Sequence, residues 1–236
     1  MNDDLWAGGT SRHLPEPRFA DRRAGGRELA HVMQQYHGTD AIVLALPRGG
    51  VIVGYEIAKE LALPLDVYVV RKLGAPGQPE LGIGALAPGL VYVERNIIAE
   101  LGVSSGQLEQ IIEAAQAEME RRLLLYRGTT VLPDLAGRTI ILVDDGLATG
   151  VTATAAILSL RNLKVARLVL AVPVAASQSL ATLSNMVDEA YAVENTSNLR
   201  AVGLWYGDFE QVDDEFVLRT LSDANEQLAK WRSSTV

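Results

Sequence analysis

One stretch limits what this chain can become more than any other: Thr139-Ile-Ile-Leu-Val-Asp-Asp-Gly-Leu-Ala-Thr-Gly-Val-Thr152. The apolar run Ile140 to Val143 reads as a fully buried parallel strand. Asp144 and Asp145 stand where that strand ends, and ligands of open α/β sheets bind outside that end. Gly146 to Gly150 can turn backbone N–H groups inward, and the helix expected from Thr152 adds its positive end, so the loop can cradle a phosphate. Thr149 and Thr152 add hydroxyl donors. A nucleotide triphosphate loop would place a Lys here in the pattern G-x-x-x-x-G-K-[S/T], and none is present. Two carboxylates beside a phosphate cradle suit a sugar phosphate, whose vicinal hydroxyls they can accept from.

The rest of the chain alternates strands and helices, which implies an open, mostly parallel sheet covered on both faces. Helical periodicity runs from Asp21 to Tyr36, with Gly38 as its stop. A first βαβ unit follows: strand Ala41–Leu46, loop Pro47–Gly50, helix Val51–Leu61 and strand Leu65–Val70. Arg71 to Pro79 is rich in Gly, Pro and charge and reads as a mobile loop. Short strands at Gly82–Leu86 and Leu90–Glu94 flank a Pro88-Gly89 turn. A short helix covers Asn96–Leu101 and a long one Ser105–Arg127, with Leu108, Ile111, Ile112, Ala115, Met119, Leu123 and Tyr126 on one stripe. After the phosphate loop come helix Thr152–Leu163, strand Arg167–Val174, helix Ser177–Met186, strand Val187–Val193, loop Asn195–Leu204 and a capped helical segment, Asp213–Trp231. Residues 1–20 read as an irregular lead-in and 21–236 as one domain.

With 236 residues, 48% of them hydrophobic, the chain can build one sizeable core. It has no cysteine, which excludes disulfides, thiolate metal sites and a Cys nucleophile and fits a reducing cytoplasm. The net charge of −8 argues against a nucleic-acid footprint. The acidic N-terminus is no signal peptide, and the longest apolar runs are too short to span a membrane. Gly102-Val-Ser104-Ser-Gly106 fits G-x-S-x-G, but no strand precedes it and all three His lie upstream, so Ser104 or Ser105 reads as a helix cap.

The segment Asp144-Asp145-Gly146-Leu147-Ala148-Thr149-Gly150-Val151-Thr152 resembles the signature of the type I phosphoribosyltransferases: a hydrophobic strand, two acids, three variable residues and Thr-Gly-x-Thr. Phe19–Arg23, Ala45–Gly54, Val69–Gly84, Tyr126-Arg127, Val143–Thr152 and Val202–Phe216 extend the likeness across nearly the whole chain. They are most similar to the uncharacterised, predicted phosphoribosyltransferases of bacteria and archaea. The resemblance implies an α/β fold: a doubly wound, mostly parallel five-stranded sheet core with a small hood subdomain, residues 71–135 supplying a flexible loop and the hood insertion.

The same resemblance implies roles. Residues Gly146, Leu147, Ala148, Thr149, Gly150, Val151 and Thr152 would hold the 5′-phosphate of phosphoribosyl pyrophosphate, and Asp144 and Asp145 its ribose hydroxyls. Arg48, Gly49 and Gly50 match the loop that grips pyrophosphate. Arg71 and Lys72 would belong to a lid over the leaving group, Lys72 the better placed of the two. Mg²⁺ would bridge through ligand and water, with no direct protein ligand assigned. The acceptor, a small molecule with a nitrogenous base the first candidate, would be read from about Leu81 to Leu135. Trp205 and Tyr206 are candidates to stack on it, although large aromatics are more often packing residues. The acids from Glu210 to Glu215 read as a solvated face or helix cap. A homodimer is the implied assembly. A sensor of phosphoribosyl pyrophosphate or nucleotide, or a hydrolase or phosphorylase of ribosyl phosphates, could use the same cradle.

Overall fold

The computed structural model describes residues 17–234. Up to residue 16, the expected lead-in lies outside the described residues. The chain enters at Phe19, whose backbone is hydrogen-bonded to the stretch after the last strand: Phe19 N–H donates to the Trp205 carbonyl (2.9 Å), Gly207 N–H to Phe19 (2.8 Å) and Asp208 N–H to Ala20 (2.8 Å). Helix α1 (Arg22–Val32) starts where Asp21 accepts from the Ala24 N–H at 2.7 Å, a side-chain cap for an otherwise orphan donor. Strand β1 (Ile42–Ala45), helix α2 (Gly49–Leu61) and strand β2 (Leu65–Val67) form the expected parallel crossover. The second strand is shorter than expected; Tyr68 N–H still donates to the Ala45 carbonyl at 2.9 Å, and Tyr68 to Val70 stay buried beyond the strand's end.

The largest departure follows at once. Arg71–Pro79 is not a loop. It holds strand β3 (Arg71–Ala75) and the start of strand β4 (Gln78–Ala87), paired antiparallel, and strand β5 (Leu90–Val93) completes a three-stranded sheet. Glycine and proline do not break the chain here. Gly77 takes φ +74° at the turn, and Gly74 lies so close to the Pro79 carbonyl that a Cβ would sit 2.4 Å from its oxygen. Leu73 and Ala75, two apart, both point into the core.

Helices α3 (Arg95–Glu100) and α4 (Ser105–Arg127) follow. A capping box of Ser104 and Gln107 opens α4, and Gly128 closes it at φ +70°. Its apolar stripe is core: Ala115, Met119, Leu123 and Tyr126 are buried with Leu73 and Ile83, and Leu108, Ile111 and Ile112 pack against them.

The chain then returns as strand β6 (Thr139–Val143), helix α5 (Val151–Asn162), strand β7 (Arg167–Ala176), helix α6 (Ser177–Ser184), strand β8 (Glu189–Thr196) and helix α7 (Asp214–Ser234). The main sheet has the order β2-β1-β6-β7-β8, with every pairing parallel. Strands buried on both faces explain the unbroken apolar run of β6. The order reverses beside β1, so the loops after β1 and β6 leave the sheet side by side, and a crevice opens between them.

Candidate active site

Two loops that are distant in sequence meet at this reversal. Ala45 pairs with Val143, and Leu46 N–H donates to the Val143 carbonyl at 2.8 Å. The next residues, Pro47 to Gly50, are therefore laid against the acid pair, with the Pro47–Arg48 peptide cis. The fit is tight. A Cβ on Gly49 would sit 1.9 Å from the Asp145 Oδ2, and one on Gly50 would sit 2.9 Å from the Val143 carbonyl oxygen. Only glycine lets the backbone come this close to the carboxylate.

The loop after the acids divides its work. The Leu147 side chain is 2% exposed in the core, its N–H donates to the Val174 carbonyl at 2.8 Å and its own carbonyl accepts from Ala176 at 2.8 Å. Leu147 thus anchors the loop to β7, and its amide is taken. It drops out of the set expected to hold phosphate, a role that periodicity could not deny it because the partner strand lies later in the chain. The Ala148 carbonyl is held by the Ser179 hydroxyl at 2.5 Å. Gly150, at φ +78°, turns the chain into α5 with no side chain capping the helix, so the Val151 and Thr152 amides stand at its positive end. Thr149 is exposed and Thr152 half-buried beside them.

The residue that sequence reading missed is Arg22. Its Nε donates to Asp145 Oδ2 at 2.8 Å, its Nη1 donates to the Glu210 carbonyl at 2.9 Å, and its guanidinium lies 3.6 Å over the Phe209 ring. The pair is buried, with the Arg22 side chain 9% and that of Asp145 18% exposed. Arg22 and Asp145 are 123 positions apart, and no local pattern joins them.

Burial pushes the Asp144 carboxyl well above the ordinary carboxylate range, and the charge of Asp145 adds to this; the Asp145 amide, Arg22 and Lys72 pull the other way. Burial also raises Asp145, but the Arg22 hydrogen bond and charge oppose it. A raised folded value means that the folded state holds the proton more tightly than the unfolded chain. The contribution of Asp144 to stability is therefore lost as pH rises from the ordinary carboxylate range through its raised value. Asp144→Asn should unfold at about the same temperature as wild type near pH 4 and at a higher one near pH 8, measured by thermal scans across that range. A gap that closes toward high pH would contradict this sign.

Arg71 and Lys72 are neighbours on a strand and serve opposite sides. Lys72 is exposed, and its charge acts on Asp144. Arg71 is half-buried among Arg122, Glu118, Arg121 and Tyr126 of α4; burial first, and then the Arg122 charge, lowers its pKa. Its Nε has no hydrogen-bond partner. Among the described residues, neither Arg48 nor Lys72 has a carboxylate within ion-pair distance.

Tyr206 is not a stacking platform. It is 4% exposed, its ring packs against Phe19 at 5.4 Å and Phe209 at 5.2 Å, and its hydroxyl donates to the Asp145 carbonyl at 2.5 Å. Trp205 packs against the same small cluster. Tyr206 thus holds the acid pair from behind. A cleft of about 310 Å³ opens beside Arg48 and Gly49, and Arg22 and Phe209 to Val212 complete its lining. Asp213 accepts from the Phe216 N–H at 2.6 Å and so caps α7.

Comparison with known proteins adds family to geometry. A sequence profile for the phosphoribosyl transferase domain matches residues 18–203. Two Mycobacterium tuberculosis proteins, from strains CDC 1551 and H37Rv, are provisionally named phosphoribosyl transferases. Each is 37% identical over 214 residues, which is 90% of this chain and 48% of theirs. The chain thus spans about half the length of those relatives. The crystal structure of TT1426 from Thermus thermophilus superposes with a TM-score of 0.73 at 35% identity, covering 87% of this chain and 98% of that one.

Proposed function

Because the chain belongs to the phosphoribosyl transferase domain family, we propose that it moves ribose 5-phosphate from phosphoribosyl pyrophosphate to a small-molecule acceptor, with diphosphate leaving. One observation carries the reading: Gly49 abuts the Asp145 carboxylate, so a diphosphate on the Arg48–Gly50 backbone and a pentose on the acids would share one bond, the bond to be broken.

Asp144 and Asp145 take the 2′ and 3′ hydroxyls. The 5′-phosphate lies on Gly146 and on Ala148 to Thr152, where backbone amides, two threonine hydroxyls and the α5 dipole converge. Arg48 offsets charge that grows on the departing diphosphate, with Lys72, whose charge reaches Asp144, and its β3 neighbour Arg71 as further cations. As the bond to the anomeric carbon lengthens, positive charge builds on the sugar, and the acid pair below it is the stabilising counter-charge. Magnesium would enter this reading as a counter-charge to the diphosphate. Among the described residues there is no group of three or more His, Cys, Asp and Glu placed to hold a metal, so no residue is assigned to it. The reading includes a homodimer at work in the cytoplasm. Exposed Leu124, Leu125 and Val131 supply apolar surface for the dimer, and no described helix is long and apolar enough to cross a membrane.

The test is product analysis with labelled phosphoribosyl pyrophosphate, Mg²⁺ and a panel of bases. A phosphoribosylated base and diphosphate are expected in equal amounts. Ribose 5-phosphate appearing in every mixture would make the protein a hydrolase, and tight binding with no product would make it a sensor; either overturns the transferase.

A further inference from the structure

The two acids are neighbours in sequence but not equals in their surroundings. Asp145 faces a guanidinium fixed from three sides: the carboxylate at 2.8 Å, the Glu210 carbonyl at 2.9 Å and the Phe209 ring at 3.6 Å. Among the described residues, Asp144 has no such partner. Its Oδ1 accepts from the Asp145 amide at 2.8 Å, and the other charges acting on it are Asp145, Arg22 and the exposed Lys72 of β3. Besides Arg22, the groups around Asp145 are Asp144, the Tyr206 hydroxyl on its carbonyl and the Gly49 backbone. Two adjacent carboxyls in a partly desolvated crevice do not both ionise cheaply, and the environment decides which one keeps the charge.

We propose that Arg22 is a positioning residue for the pentose contact, fixing Asp145 as the carboxylate of the pair, so that the sugar is gripped by one carboxylate and one carboxyl group rather than by two like charges. This rests on the reading of the acid pair as the pentose grip. Such a pair offers a donor as well as acceptors, which suits vicinal hydroxyls that each donate and accept. The directions of titration agree, Asp144 being pushed up hardest and Asp145 being held back by Arg22. Arg22 also ties the Phe209–Glu210 stretch, one wall of the cleft beside Arg48, to the acid that holds the sugar.

The experiment uses the full chain as wild type, Arg22→Gln, Arg22→Lys, Asp144→Asn and Asp145→Asn. Carboxyl ¹³C titration of the ligand-free protein should show Asp145 losing its proton at lower pH than Asp144. Arg22→Gln should raise Asp145 toward its neighbour, and Arg22→Lys should restore the order. Calorimetry with ribose 5-phosphate should show binding weakened about tenfold in Arg22→Gln and largely recovered in Arg22→Lys, and Asp145→Asn costing about tenfold more than Asp144→Asn. An Asp145 titration that ignores Arg22→Gln overturns the assignment, as does equal loss in the two Asn variants. Failure of the wild-type chain to bind ribose 5-phosphate would instead overturn the pentose reading, and the ligand-free titration separates that failure from the first.

Discussion

Alanine at Asp144 is expected to lower phosphoribosyl transfer by roughly 10²–10³-fold, the usual cost of removing one preorganised electrostatic contact to the transition state. The same change should leave the chain folded and more resistant to heat at neutral pH, because it removes a carboxyl that burial penalises. Alanine at Asp145 should lose still more rate, because it removes the charged member of the pair, and respond oppositely to denaturant. It strands the Arg22 guanidinium, 9% exposed, without its carboxylate. Breaking a buried pair from one side costs on the order of 3 kcal/mol. Steady-state rates with urea unfolding of both variants check the two halves together. Full turnover in both alanine variants would remove the acids from the mechanism, and equal stability changes would remove the asymmetry.

The second large effect concerns a residue with no side chain. In Gly49→Ala the new methyl would lie 1.9 Å from Oδ2 and 2.7 Å from Cγ of Asp145, and 2.9 Å from the Arg22 Nε. No real structure keeps such distances, so either the acid turns away from Arg22 or the Arg48 loop withdraws from the acids. Both separate the diphosphate grip from the pentose grip, and a displacement of about 1 Å at such a junction costs about 10² in rate. Gly82→Ala is the matched control, since a Cβ there meets nothing within 4 Å. The comparison is of kcat for the two variants. A Gly49→Ala enzyme as fast as the Gly82→Ala one would mean that the two loops do not act on one substrate.

What could be read in advance, and what could not, follows from where the partners lie. The path from Ile140 to Thr152 was legible because strand, acids, glycine turn and helix succeed one another without a break. The long helix was legible to the residue because Ser104, Gln107 and Gly128 mark its ends by chemistry local to them. Arg71 to Pro79 was misread because composition treats Gly and Pro as breakers, whereas here one glycine permits a close strand approach and another makes the turn. Leu147, Tyr206 and Arg22 share a different cause. Each takes its meaning from a partner far along the chain: the β7 carbonyl of Val174, the Asp145 carbonyl and the Asp145 carboxylate. Hydrophobic periodicity carries no information about such pairs.

The short backbone stitch between Phe19–Ala20 and Trp205–Asp208 has a mechanical consequence. Arg22 and Phe209, which together steady Asp145, sit immediately beyond its two sides. Opening that seam is expected to loosen the hold of Arg22 on Asp145, and with it the pentose grip proposed above. Hydrogen exchange at the Gly207 and Asp208 amides is then expected to rise wherever ribose 5-phosphate binding weakens.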